Sequence, residues 1–186
     1  MRMLPGIVTF VLVVYGSVSS PMPAKADNDS PEAPSPQVTA ANDIDAGRYI
    51  VIIGACNDCH TSNWAETNGA VPESRWLSGS PIGWRGPWGT TYASNLRMFV
   101  QDLTEEAWVE MLATRKARPP MPWMNLNRMA ATDARKLYRY IRSLGAAGER
   151  MPLAAAPGVE PTTPYYVLDP LPPNTINTVS VPTAPE

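Results

Sequence analysis

The run Cys56-Asn57-Asp58-Cys59-His60 holds both cysteines and the single histidine of a 186-residue chain. The C-x-x-C-H spacing is that of covalent c-type haem attachment. Two thiols one helical turn apart can each add to a vinyl group of one haem. The adjacent imidazole then lies under the iron as its proximal ligand. Other chemistries use parts of the same run. A thioredoxin-like redox pair follows a strand of a βαβ unit, whereas a helical pattern leads into Cys56. Structural zinc takes four Cys or His ligands, and three such residues exist here. A plain Cys56–Cys59 disulfide suits an oxidising compartment.

With no second histidine, a sixth iron ligand must be another residue type. Methionine sulfur is the usual alternative in cytochromes c, and it raises the reduction potential. Beyond residue 26 the chain offers Met98, Met111, Met121, Met124, Met129 and Met151. Met111 falls on an apolar helical stripe and reads as core. Met121 sits in Pro119-Pro120-Met121-Pro122-Trp123, where proline fixes the backbone and removes competing donors. A thioether on so stiff a loop is ordered at little cost. Met124 is its rival, and gap filling is the ordinary use of any methionine.

The elements that must position these residues read as helices joined by loops. Asn42 or Asp43 can cap a helix whose residues Ile44, Ala46, Tyr49, Ile50 and Ile53 share a buried face, and this helix is expected to run into Cys56. Thr104 can cap a second helix, with Glu105 and Glu106 in its first turn and Arg115 and Lys116 in its last, as the helix dipole favours. Pro119 and Pro120 end it. Thr132 opens a third helix lined by Leu137, Tyr138, Ile141 and Leu144 and closed by Gly145. Residues 61–100 lack periodicity. Their glycines and prolines, with Trp64, Trp76, Trp84 and Trp88 between them, read as a long ordered loop packed by its own aromatics. So long a loop implies something buried beneath it. No strand pair is evident.

The two ends differ from the middle. Arg2, the apolar residues 7–14 and Ala24-Lys25-Ala26 form a secretory signal pattern covering 1–26. The apolar stretch is well short of the ~20 residues of a spanning helix. An exported, periplasmic protein without a membrane span after cleavage is the expectation. Residues 27–41 are Pro-, Ser- and Asp-rich and read as a disordered leader. The folded domain is expected over 42–147, and 148–186 is a Pro-rich extension expected to run extended. Within it, Tyr165, Tyr166, Val167 and Leu168 are too apolar for a free tail and are expected to lie against the domain or a partner. Removal of 1–26 leaves 13 Lys and Arg against 17 Asp and Glu. The acidic balance and exported address argue against nucleic acid. Residues 27–74 carry eight acids and one base, and 75–150 carry twelve bases and six acids. Such asymmetry can steer a partner, or be ordinary solvated charge.

The sequence resembles the class I (mitochondrial-type) cytochrome c superfamily, and is most similar to monohaem domains found with bacterial periplasmic dehydrogenases. The stretches that carry the resemblance are 47–50 (GRYI), 55–61 around the haem motif, 89–96 (GTTYASNL), 118–126 (RPPMPWMNL) and 134–144 (ARKLYRYIRSL). In that family the Met of the M-P-[WY] segment is the distal ligand, and the match falls on Met121. The resemblance also suggests Tyr92 and Asn95 as haem-edge contacts, to the propionates or the distal sulfur, although turn-forming residues of this kind commonly serve loop packing. The chain departs from the pattern at 96–103 (LRMFVQDL), where relatives often carry Thr-Pro-Asp. The resemblance implies an all-α fold of about three main helices with long loops around one covalent haem c. The first and last helices would cross near Gly47, Tyr49 and Tyr138. Cys56 and Cys59 would hold the haem, and His60 and Met121 its iron. The chain would carry single electrons from a dehydrogenase to another cytochrome or a terminal oxidase, without being an enzyme itself. The contrasting expectations are a haem enzyme or gas sensor with an open distal site, or a fixed electron-transfer subunit of a dehydrogenase complex.

Overall fold

The structure is a computed structural model, and residues 36–170 are described. The signal pattern at 1–26, the leader up to residue 35 and the extension from 171 lie outside the described residues. The described part contains six helices and three short strands: α1 (Asp43–Ile53), α2 (Cys56–His60), β1 (Gly83–Gly86), β2 (Gly89–Tyr92), α3 (Leu96–Phe99), α4 (Glu105–Thr114), α5 (Trp123–Leu126), α6 (Ala131–Ser143) and β3 (Tyr165–Val167).

The three long helices begin within a residue of where the sequence places them, but α4 ends at Thr114, so Arg115 and Lys116 lie beyond the last turn expected to hold them. Asn42 caps α1 by accepting from the Asp45 N–H at 2.9 Å, and Thr104 caps α4 by accepting from the Ala107 N–H at 3.1 Å. Each side chain satisfies one of the free donors of a first turn. α6 begins at Ala131 without a side-chain cap. The apolar faces meet in one core that includes Ile50, Val51, Leu77, Val100, Trp108, Leu112, Leu137, Tyr140 and Ile141. Two buried polar edges are satisfied there. Trp108 Nε1 donates to Ala134 O at 3.0 Å, and the Tyr138 hydroxyl donates to Leu103 O at 2.7 Å.

α1 and α6 cross at Gly47, as expected, but the partner is Tyr140 rather than Tyr138, and Tyr49 is half exposed. Tyr138 instead packs beside Trp108, with ring centroids 6.2 Å apart. A Cβ on Gly47 would lie 2.2 Å from Lys136 O and 2.6 Å from Tyr140 Cβ. Neither neighbour is a flexible side-chain end. Gly47→Ala should therefore cost about 3 kcal/mol, the upper part of the usual overpacking range. Thermal melting of the full-length protein checks this, with an unchanged melting point as the contrary result.

The all-α expectation is corrected by a three-stranded mixed sheet of order β2-β1-β3. β1 and β2 pair antiparallel, with Trp84 opposite Thr91 and Gly86 opposite Gly89. β3 pairs parallel to β1, with Trp84 opposite Tyr166. The sequence conceals this sheet because its strands are three or four residues long. They read GWRG, GTTY and YYV, with glycine where alternation would be legible. The fold is thus helical with a small β layer.

The apolar island in the tail is β3. Gly83 N donates to Pro164 O at 2.9 Å and Leu168 N to Arg85 O at 2.8 Å. Arg85 reaches Glu160 at 2.5 Å and the Tyr165 hydroxyl at 3.0 Å. Truncation after Pro157 strips these bonds and leaves β1 as an edge. It should lower the melting temperature, and an identical melting curve would contradict the tail's part in the fold. At the other end the chain already touches the domain before Asn42. Val38 N donates to both Asp133 carboxylate oxygens at 3.1 Å, and Lys136 Nζ donates to Val38 O at 2.6 Å.

Candidate functional site

Cys56, Cys59 and His60 lie on α2, one turn and a half of helix set off from α1 by Gly54 and Ala55. The expected continuous helix is broken there. Ala55 has φ 53°, in the left-handed region that costs an L residue about 1 kcal/mol or more. The break re-aims α2 relative to α1 and is local strain spent on directing three side chains.

The His60 ring is buried, 7% exposed. Its Nδ1 lies 2.7 Å from the Ser94 carbonyl. A carbonyl only accepts, so Nδ1 carries the proton and Nε2 keeps its lone pair. A hydrogen bond from the ring nitrogen that does not face the metal fixes the tautomer and orientation of a metal-binding imidazole. Burial lowers the pKa of His60, against the smaller opposing effect of the Ser94 bond, so the ring is neutral and able to ligate. The backbone of His60 is held as well, since Gly79 N donates to His60 O at 2.7 Å.

Both cysteines are free thiols and half-buried. Burial pushes the Cys56 thiol up to about 11, and burial followed by the Asp58 charge also raises Cys59. A redox-active C-x-x-C pair has a thiol pushed down and follows a strand of a βαβ unit, whereas here neither thiol is lowered and a helix, α1, precedes Cys56. Among the described residues no group of three His, Cys, Asp or Glu is placed to hold a metal ion directly.

Met121 occupies the loop between α4 and α5, which is tied at several points. Thr91 Oγ1 donates to Pro119 O at 2.6 Å, and Arg118 Nη1 donates to Ala155 O at 2.7 Å. Asn127 Nδ2 donates to Leu112 O at 2.7 Å and to Arg115 O at 3.1 Å. The Arg115 guanidinium lies 4.9 Å from the Trp123 ring centre. Met121 is half-buried, whereas its rival Met124 is 68% exposed. Met111 and Met129 pack against the core.

The sheet, which sequence reasoning missed, lies next to these parts. Strand alternation puts Trp84, Thr91 and Tyr166 on one face. Thr91 reaches the Met121 loop. Trp84 and Tyr166 line a cleft of about 250 Å³ together with Cys59, Asp58, Trp64 and Glu66. Trp88 folds over Gly86, and its Nε1 is buried without a partner among the described residues. A buried, unpaired N–H calls for an acceptor, and haem brings two carboxylates. Cys56, Cys59 and His60 share α2, and Met121 stands on a separate, braced loop; a free imidazole Nε2, two thiols and a thioether are donors of the types that a haem c takes.

The two suggested edge residues have different surroundings. Tyr92 accepts from Thr163 Oγ1 at 3.2 Å and keeps its own hydroxyl proton available. Asn95 is 3% exposed and fully engaged by protein. Its Oδ1 accepts from Met98 N, capping α3, and its Nδ2 donates to Ala147 O at 2.8 Å and Glu149 O at 3.0 Å. Trp76 is core, with Nε1 donating to Val71 O at 2.8 Å. The Ser94 carbonyl was not legible in the sequence, because a main-chain acceptor has no side-chain signature. Comparison with protein-family models, with curated proteins and with solved structures yields no match for this chain. The assignment therefore rests on its own residues and geometry.

Proposed function

We propose that the chain is an exported c-type cytochrome that carries single electrons through one covalently bound haem. The observation that carries this reading is the state of one pentapeptide. Its two cysteines and its histidine share one short helix, and the histidine has Nδ1 committed to Ser94 O, which leaves Nε2 for a metal. Cys56 and Cys59 would hold the ring through thioethers, and His60 and Met121 would ligate the iron. When bound, the haem supplies an iron centre that gains or loses one electron. The protein's own part is to orient the imidazole, hold the thioether on a braced loop and keep water from both. With both axial positions filled, no substrate would reach the iron, so the chain is a carrier rather than an enzyme. The donor proposed is a dehydrogenase and the acceptor another cytochrome or a terminal oxidase. The proposed place is the periplasm.

The test is the resting spin state of the purified, haem-loaded protein. Low-spin six-coordinate iron is expected. A high-spin five-coordinate resting state would replace this reading by an open-site enzyme or gas sensor. Stable co-purification with a dehydrogenase would make the chain a fixed subunit of a complex rather than a diffusing carrier.

A further inference from the structure

Two segments close around His60 and bond to one another. Gly79 N donates to His60 O, the His60 ring donates to Ser94 O, and Ser80 N donates to Ala93 O at 3.1 Å. Leu96 N donates to Leu77 O at 2.9 Å. The segments approach so closely at Gly79 that a Cβ there would lie 2.8 Å from Asn95 N and 2.5 Å from Met151 Cγ. Ser94 itself is exposed, between buried Ala93 and buried Asn95. A carbonyl on a residue that is otherwise exposed holds one direction only if its flanks are fixed.

A third segment fixes them. Asn95 donates to Ala147 O and Glu149 O. Arg97, 6% exposed, donates to Gly145 O at 2.7 Å, to Ser74 O at 2.5 Å and to Leu144 O. No carboxylate pairs with Arg97 among the described residues. A buried cation is costly without a partner. Here main-chain carbonyls serve, two of them at the C-terminal end of α6, where the helix dipole favours positive charge. Arg97 also lies in the stretch where the sequence departs from the cytochrome c pattern. A residue so expensive to bury, two positions from the residue that staples the Ser94 flank, has a task beyond filling space.

We infer that Asn95 and Arg97 are positioning residues for the proximal ligand: by fastening residues 144–149 to the 93–97 segment, they hold the Ser94 carbonyl against His60 Nδ1. The inference rests on the haem reading above. A firm Nδ1–H···O bond makes the imidazole a more basic ligand, and a more basic ligand favours ferric iron. Loosening it raises the potential.

The test uses haem-loaded full-length protein. Asn95→Ser keeps an oxygen to cap α3 but removes both donations to residues 147 and 149, without adding charge. Arg97→Lys keeps the cation but removes the guanidinium fork. Both variants should show a higher midpoint potential, and exchange of the His60 Nδ1 proton, read by NMR, should be at least tenfold faster. The near-infrared sulfur-to-iron band should be unchanged. Wild-type exchange and potential in both variants, even with a lowered melting point, would reduce the two residues to fold stabilisers and overturn the inference. A lowered potential would overturn it too. If Asn95→Ser gives no folded haem protein, Arg97→Lys decides by the same two readouts. A wild type without covalent haem defeats the haem reading itself, which separates that failure from this one.

Discussion

The Cys56→Ala, Cys59→Ala double variant is expected to emerge from denaturing electrophoresis with no haem, where the wild type keeps one haem per chain. Each thiol would supply one thioether, so the single variants should keep covalent haem only in low yield. The consequence extends to the fold. A domain of about a hundred residues has a modest core of its own, and a group bound only by the native state adds its binding free energy to stability. The loop from 61 to 95 is held to His60 through Gly79 and Ser94, and in the proposed reading its order depends on the haem that His60 ligates. The double variant should therefore lose a large share of its helical circular dichroism signal and melt without a cooperative transition. Surviving covalent haem in the double variant would remove the attachment chemistry altogether. A protein that folds cooperatively without haem, with Cys56 and Cys59 joined, would restore the plain disulfide.

How much of this was legible in the sequence depended on how each feature is encoded. The candidate haem motif consists of rare residue types in one short run, and α2 carries all of them. Caps and apolar stripes are local signals, so α1 and α4 start where Asn42 and Thr104 place them. α6 starts one residue before Thr132. The end of α1 was misread because Gly54 and Ala55 break the helix through an alanine in the left-handed region, a conformation that alanine does not advertise. The sheet was missed because its information is not local. Tyr166 lies opposite Trp84, and nothing near either residue names the other. Gly86-Pro87-Trp88-Gly89 reads as part of a long loop with turns, and the structure makes it the hairpin turn of β1 and β2. Asn95 was singled out from the resemblance as a haem-edge residue, but the structure commits its side chain to α3 and to residues 147 and 149. Met121 was preferred over Met124 on loop stiffness and family pattern, and the two differ in a way the sequence could not display, one half-buried and the other on the surface.

That difference makes Met121→Ala the most informative single substitution in the chain. In the proposed reading the one histidine is the proximal ligand, so a filled sixth position needs another donor. Thioether sulfur is a soft ligand that favours ferrous iron and holds the potential high. Met121→Ala should abolish the near-infrared sulfur-to-ferric-iron band, open the iron to carbon monoxide and lower the midpoint potential. The loop itself should survive, because its ties to Thr91, Ala155, Leu112 and Arg115 run through residues 118, 119 and 127 and none uses the Met121 side chain. Loss of the band is thus a ligand effect rather than a collapse, and an unchanged melting curve of the variant's protein signal below the haem transition would show it. Met124→Ala should leave all three properties as in the wild type, since an exposed thioether has little packing to lose. Loss of the band in Met124→Ala with retention in Met121→Ala would move the ligand three residues along the chain. Retention in both would hand the role to Met98, Met111, Met129 or Met151, of which Met111 and Met129 are already packed against the core. A wild type that lacks the band and binds carbon monoxide at once would have an open distal face, and the carrier would give way to a haem enzyme or gas sensor.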